Sequence, residues 1–149
     1  MRKFLILLVA LGFAGTALAA DVGLVKVAKG SVQIQRGANK IPATVGTGLQ
    51  QADVVVTGAD GSAGITFTDN SLVSVGPNSV FAIDKYSFDS TTHAGEFEGS
   101  LRSGRLAGVS GKMVKQSPES MKIRTPSSVM GVRGTEFVVQ VDEPLAPAR

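Results

Sequence analysis

Beyond residue 20 the apolar side chains of this chain recur at every second position in short runs. Each run is cut by Gly, Asn, Asp, Ser or Pro. That pattern constrains the fold more than any other feature, because a period of two is the signature of a half-buried strand and excludes an amphipathic helix. In "SAGITFTD" it places Ala63, Ile65 and Phe67 on one face and Thr66 and Thr68 on the other. "NSLVSVG" aligns Val73 with Val75, "NSVFAIDKYSF" aligns Phe81 with Ile83, and "TEFVVQV" aligns Phe137, Val139 and Val141. "LVKVAKGSVQIQRG", "ADVVVTG", "GEFEGSLRSGRLAG" and "MKIRT" are further strand candidates.

The breaks carry the same message. Of eighteen glycines only Gly12 and Gly15 precede residue 20. A helix would lose about 1 kcal/mol at each interior glycine, whereas a chain that turns often uses them for positive φ. The runs recur every eight to twelve residues, which means an all-β roll, sandwich or solenoid in a single domain. A weak internal echo favours the last. "DGSAGITF", "NSLVSV" and "NSVFAI" each open on a turn residue followed by Ser62, Ser71 or Ser79. One strand and one corner per unit predicts a β-helix-like roll, although a meander would look similar.

The first nineteen residues follow a different rule. Met1-Arg2-Lys3 is a basic start, Phe4 to Ala14 is apolar, and Ala17-Leu18-Ala19 has the small-x-small form that a signal peptidase cuts. The expected signal peptide is therefore 1–19, cut after Ala19, with an uncleaved anchor as the alternative. The domain then spans 20–141, followed by a flexible tail over 142–149. The placement implied is periplasmic or secreted, with no transmembrane segment after cleavage.

Loss of Arg2 and Lys3 leaves thirteen basic against twelve acidic residues, so the net charge falls from +3 to +1. Lys and Arg are scattered among acids, which argues against nucleic acid as a partner. The one moderate cluster, Arg102, Arg105, Lys112 and Lys115, reads as a solvated face. The chain has no cysteine, hence no disulfide framework and no lipidated cysteine.

Chemistry-bearing constellations are poor. His93 is the only histidine and lies in the polar stretch "DSTTHAG". Asp60, Asp69 and Asn70 are a candidate carboxylate site for calcium, but they lack the EF-hand spacing and are explained as turn formers. The P-loop pattern fails at Leu106 and Met113, and no GxSxG elbow exists. Ser110 with Lys112, and Ser120 with Lys122, have dyad spacing in segments that read as exposed. No catalytic residue, metal or cofactor is expected, and the chain reads as non-enzymatic. Phe67, Phe81 and Phe137 belong to the core. Tyr86, Phe88 and Phe97, flanking "DSTTHAG", are candidates for a surface patch that binds a partner with Arg102 and Arg105; the alternative is that these aromatics seal one edge of the core.

The stretch "TPSSVMGVRGTEFVVQV" sets Arg133 between Gly131 and Gly134 in an otherwise apolar run. A guanidinium has five donors in a rigid fork. The structural expectation is that Arg133 folds back onto corner carbonyls or pairs with Asp53 or Asp69; the functional one is that it grips a partner's carboxylate. Together with "LQQADVVVTGADGSAGITFTDNSLVSVGPNSVFAI" and "GSLRSGRLAG", this stretch resembles the FecR domain family over about Val22 to Val141. Its closing motif is matched by Thr125, Pro126, Gly131, Arg133, Gly134, Thr135 and Phe137, and Ala52 stands where the family usually has Gly.

The resemblance implies a β-helix-like fold, no catalytic site and a role in contacts with other proteins. Family members are typically inner-membrane regulators of Gram-negative iron uptake, in which a cytoplasmic tail controls a sigma factor and the periplasmic domain receives the signal. This chain shows neither the cytoplasmic tail nor the family's C-terminal transporter-contacting part, so it resembles a stand-alone exported member. The expected partner is an envelope protein, with peptidoglycan or another glycan as the alternative. The N-terminal end of the sheet, covered only by "DVGLVKVA", is the expected open edge for strand addition.

Overall fold

The computed structural model describes residues 19–142. The expected signal segment, but for Ala19, and the tail from Glu143 onward lie outside them. Among the described residues no helix is long and apolar enough to cross a membrane.

Most of the chain is a stack of bent layers, each contributing one strand to a front sheet and one to a back sheet. β1 (Gly23–Lys29) lies in the front sheet and turns through Gly30-Ser31 into β2 (Val32–Arg36) of the back sheet. β3 (Asn39–Pro42) pairs with β2, and β4 (Gly48–Leu49) returns to pair with β1. β5 (Val54–Thr57) in the back bends through Gly58–Gly61 into β6 (Ser62–Phe67) in the front. β7 (Leu72–Val75) and β8 (Val80–Phe88) form the next layer in reverse, around Gly76–Ser79. β9 (Gly95–Val109) makes a whole layer alone: it pairs with β8 as far as Ser103 and with β7 from Leu106. Beyond it, β10 (Met121–Arg124) lies beside the first half of β9, with β11 (Val129–Gly131) on its far side, and β12 (Glu136–Val141) lies beside the second half. The short helix α1 (Lys112–Gln116) joins β9 to β10 and buries Met113 and Val114.

The bend in β9 needs glycine. Gly104 has φ +87°, and a Cβ there would stand 2.5 Å from the Cα of Ser79 and closer still to its side chain. The neighbouring corners are laced by backbone bonds: Gly58 N–H donates to Ser31 O at 2.9 Å, Asn78 N–H to Gly58 O at 3.0 Å, and Gly76 N–H to Arg105 O at 2.9 Å. Between the layers lies one core. Ile34, Val55, Phe81, Ile83, Leu101 and Ile123 face it from the back, and Val25, Ile65, Phe67, Val73 and Leu106 from the front. Each such side chain contributes about 1.5–3 kcal/mol by leaving water.

The all-β single domain is as expected, but its winding differs. Every pairing except β9–β10 is antiparallel, giving a curled sheet that forms a half-barrel rather than the parallel stack of a β-helix. The reason lies at the far ends of the strands, where the chain reverses instead of coiling on. Between β6 and β7, Asn70 adopts φ 66° and Phe67 N–H donates to Ser71 O at 2.9 Å. The serine echo reflects this. Ser62 and Ser79 follow stacked corners, whereas Ser71 sits at the opposite, hairpin end. The outer side of β1 is covered by β4 at Gly23 and Leu24 and by the Gly46–Thr47 turn at Val25, and among the described residues no strand pairs with it on that side beyond Val25.

Candidate functional site

The geometry of the stack rests on three buried polar staples. Asp53, in the turn before β5, accepts from Arg36 Nε at 2.9 Å and Nη2 at 2.7 Å and from Gln50 N–H at 2.8 Å. Thr57 Oγ1 donates to Gly76 O at 2.6 Å and accepts from Ser79 N–H at 2.9 Å, and Ser79 Oγ accepts from Arg105 N–H at 2.9 Å. Asp69 accepts from Ser71 N–H at 3.0 Å, Ser71 Oγ at 2.7 Å and Tyr86 Oη at 3.2 Å. Burial, with the Asp69 carboxylate a smaller cause, pushes the Tyr86 hydroxyl up to about 12. These groups are satisfied inside the fold, so they hold the scaffold rather than a ligand.

The two outer faces of the scaffold are unlike. On the back sheet, charges alternate across the strands: Lys85 Nζ meets Glu96 at 2.7 Å, and Arg124 meets Glu98 at 3.6 Å, with Lys122 in register with Glu98. The Glu96 partner raises Lys85, and Lys85 lowers Glu96, which is the behaviour of an exposed solvated pair.

The front sheet shows the opposite. One row across it reads Leu24, Thr66, Leu72, Val109, Glu136, and the next reads Val27, Gly64, Ser74, Ala107, Val138. Of the six large apolar side chains left exposed among the described residues, four lie on this face: Leu24, Val27, Leu72 at 48% and Val138 at 57%. The small residues Ser62, Gly64, Ser74 and Ala107 floor a shallow groove of about 400 Å³ beside Val27 and Arg105. Charges stand at the margins, with Lys26 beside Leu24 and Thr66 on one side and Glu136 on the other. Contiguous apolar faces of this kind are uncommon on monomers.

Apart from Arg105, no residue of this face was a candidate site residue in the sequence. The signal was present, since "LVSV" is apolar at both in-facing and out-facing positions of β7. In β1 a bulge between Val25 and Val27 shifts the register, turning Val27 outward where alternation alone would put it in phase with Val25.

The sequence candidates are placed as follows. Tyr86 and Phe97 are core residues, 7% and 2% exposed; Tyr86 stacks on Phe67 at a centroid distance of 5.3 Å, and Phe97 meets Phe67 edge to face at 4.9 Å. Their direct pairing across β8 and β9 carries both rings inward, so the aromatics seal the core and form no surface patch. Phe88 is half-buried at the mouth of the β8–β9 hairpin, 6.1 Å from the ring of His93. Arg102 and Arg105 are exposed on either side of the Gly104 bend and are separated from Phe88 by the length of β9's first half.

In the closing motif, Thr125 and Pro126 begin the β10–β11 turn, in which Thr125 N–H donates to Ser128 O at 2.8 Å. Gly131 and Gly134 do not have positive φ. Arg133 is 72% exposed and pairs with Glu119 at 2.9 Å. The expected pairing with Asp53 or Asp69 is thus overturned, because Arg36 already occupies the first and Ser71 with Tyr86 the second. Gly134 O accepts from Ser110 Oγ at 2.6 Å, Thr135 O accepts from Ser110 N–H at 2.7 Å, and the Phe137 ring lies over Gly108. Ser110 and Ser120 spend their hydroxyls on the backbone carbonyls of Gly134 and Ser117, not on a lysine. Asp60 and Asp69 lie at opposite ends of β6 and do not converge.

The structure is thus an all-β scaffold whose described internal polar groups are satisfied within the fold and whose front sheet carries an apolar outer face. The sequence model described as FecR protein matches residues 53–146, more than half of the chain, and the chain belongs to that family. The matched stretch opens at Asp53 and leaves β1–β4 outside it. No curated protein and no solved structure matches the chain.

Proposed function

We propose that this chain is a non-enzymatic FecR-like component of envelope signalling, acting outside the cytoplasm through protein contact on the outer face of its front sheet. Membership of the FecR family supports the signalling association. The basic, apolar and small-x-small pattern of the first nineteen residues supports export. The observation that carries the contact reading is the row Val27, Gly64, Ser74, Ala107, Val138, which is uncharged and lines a shallow groove that another protein surface can fill. The opposite outer face carries paired charges that water already solvates.

A photo-crosslinking residue placed at Ser74 in living cells tests this, with Gln33 on the back sheet as control. The expected result is a protein adduct from position 74 and none from 33. Adducts from 33 alone, or retention on bare peptidoglycan that an Ala107→Arg change leaves intact, would replace this reading.

A further inference from the structure

We infer that the outer edge of β12 accepts an extended segment of another protein, one that alternates apolar and polar residues and is basic at both ends. The inference concerns the rim of the front sheet and stands independently of its face. Among the described residues β9 is the only strand paired with β12. Ser110 N–H donates to Thr135 O at 2.7 Å, in step with the register of Glu136 against Val109. Backbone groups along an antiparallel pair alternate in direction. Phe137, Val139 and Val141 therefore turn their N–H and C=O groups to β9, and Glu136, Val138 and Gln140 turn theirs outward. The other side of β9 agrees: Gly76 N–H donates to Arg105 O at 2.9 Å, which assigns the odd residues of β9 to β7 and the even ones to β12. The outward groups of Glu136, Val138 and Gln140 have no backbone partner among the described residues. They line an edge about 14 Å long.

The other edges of the two sheets are blunted in the ways that keep edges from pairing. β4 has two residues and β11 three. β3 carries Lys40 and Pro42, and β1 has Lys26, Lys29 and a bulge before Val27. β12 runs for six residues in unbroken register, without proline or lysine. Charge selects the occupant. Glu136 and Asp142 are exposed at the two ends of this edge, neither is in an ion pair among the described residues, and no cation lies between them in the chain. Arg133 is held by Glu119, and Arg105 lies one strand inward, in register with Gln140. On the inner side Phe137 and Val141 are only half-buried. A strand that places apolar residues over them and Lys or Arg opposite Glu136 and Asp142 satisfies both sides, while its backbone completes the ladder. A second copy does not: antiparallel pairing about Val138 would set Glu136 diagonal to Asp142, acid beside acid. The groove of about 390 Å³ between Ser127-Ser128 and the end of β12 leaves room for the end of the added strand.

Amide NMR of the isotope-labelled protein, titrated with the end-capped peptide Lys-Val-Thr-Val-Thr-Val-Lys, tests the inference. The amides of Glu136, Val138 and Gln140 should shift and exchange more slowly with solvent, whereas those of Phe137 and Val139, already bonded to β9, should change little. A short peptide that is ordered on binding should dissociate at roughly 0.1–1 mM. The same peptide with Glu in place of Lys should bind about fivefold more weakly. The joint change Glu136→Lys and Asp142→Lys should reverse the preference between the two peptides. Val138→Pro, which removes the central outward N–H and no bond to β9, should abolish binding of both; the charge reversal keeps the test intact should that variant fail to fold. No shift of these three amides at ~2 mM peptide, a range that covers weak strand addition, overturns the inference, as does equal binding of the Lys and Glu peptides. The same amides responding to protein concentration alone would place a second copy on the edge and overturn the basic strand as occupant.

Discussion

Arg36 grips Asp53 with two guanidinium nitrogens, at 2.9 and 2.7 Å, across seventeen positions of sequence, and Asp53 is 1% exposed. A third nitrogen contact, from Nη2 to Gly48 O at 3.0 Å, ties β2 to the start of β4. This one side chain fastens the outermost layers to the rest of the stack. Removal of Arg36 leaves a buried carboxylate without its cation. Because the arginine itself is partly solvated, Arg36→Ala should cost roughly 2–4 kcal/mol in urea denaturation, somewhat below a fully buried pair. Arg133→Ala breaks only an exposed pair and should cost less than about 1 kcal/mol. The reverse ranking would contradict the placement of both arginines.

Glycines divide the same way. Gly104 at φ +87° has no room for a methyl group, whereas Gly131 has open space around it. Gly104→Ala should therefore destabilise by about 3 kcal/mol or more, the sum of left-handed strain and a clash at Ser79. Gly131→Ala should be neutral within about 0.5 kcal/mol, despite its place in the closing motif. Thermal melts of the two variants check both.

Ala52 occupies the left-handed region at φ 75°, just where the family usually has glycine. Its N–H donates to Ile83 O at 2.7 Å, which holds the turn in that conformation. Relief of the strain is offset in part by the greater freedom of glycine in the unfolded chain. Ala52→Gly is expected to stabilise by about 0.5–1 kcal/mol. A loss of stability would show that the turn is not strained.

Tyr86 titrates only at high pH when folded, because burial pushes it up to about 12 from 10. Below pH 10 both folded and unfolded chains keep the proton, and its contribution is fully present. Between pH 10 and 12 the unfolded chain ionises first, so stability falls as pH rises, by roughly 2–3 kcal/mol from this group. Tyr86→Phe should lose stability at neutral pH, from the missing bond to Asp69, but should lack that part of the alkaline decline. Parallel pH curves for the two proteins would contradict the burial of the hydroxyl.

Much of the fold was legible in sequence. The alternation of Ile65 with Phe67, Val73 with Val75 and Val139 within "TEFVVQV" correctly places strands and their inward faces. The direction of pairing was not legible, because period two is the same in parallel and antiparallel sheets. It is set by single turn residues such as Asn70, whose left-handed φ reverses the chain. Helix α1 is five residues long, too short to show a helical period. The choice between Arg36 and Arg133 for Asp53 depends on which layer stacks on which, a long-range fact that local pattern does not contain. The contact face escaped for a related reason. Leu72, Ala107 and Val138 are adjacent only after β7, β9 and β12 are set side by side.

The most direct test of the contact face is a crosslink in living cells. A photo-reactive residue at Ser74, on the outer face of β7, should capture another protein, and one at Gln33, on the outer face of the back sheet, should capture none. Adducts from position 33 alone, or none from position 74, would contradict contact through the front sheet.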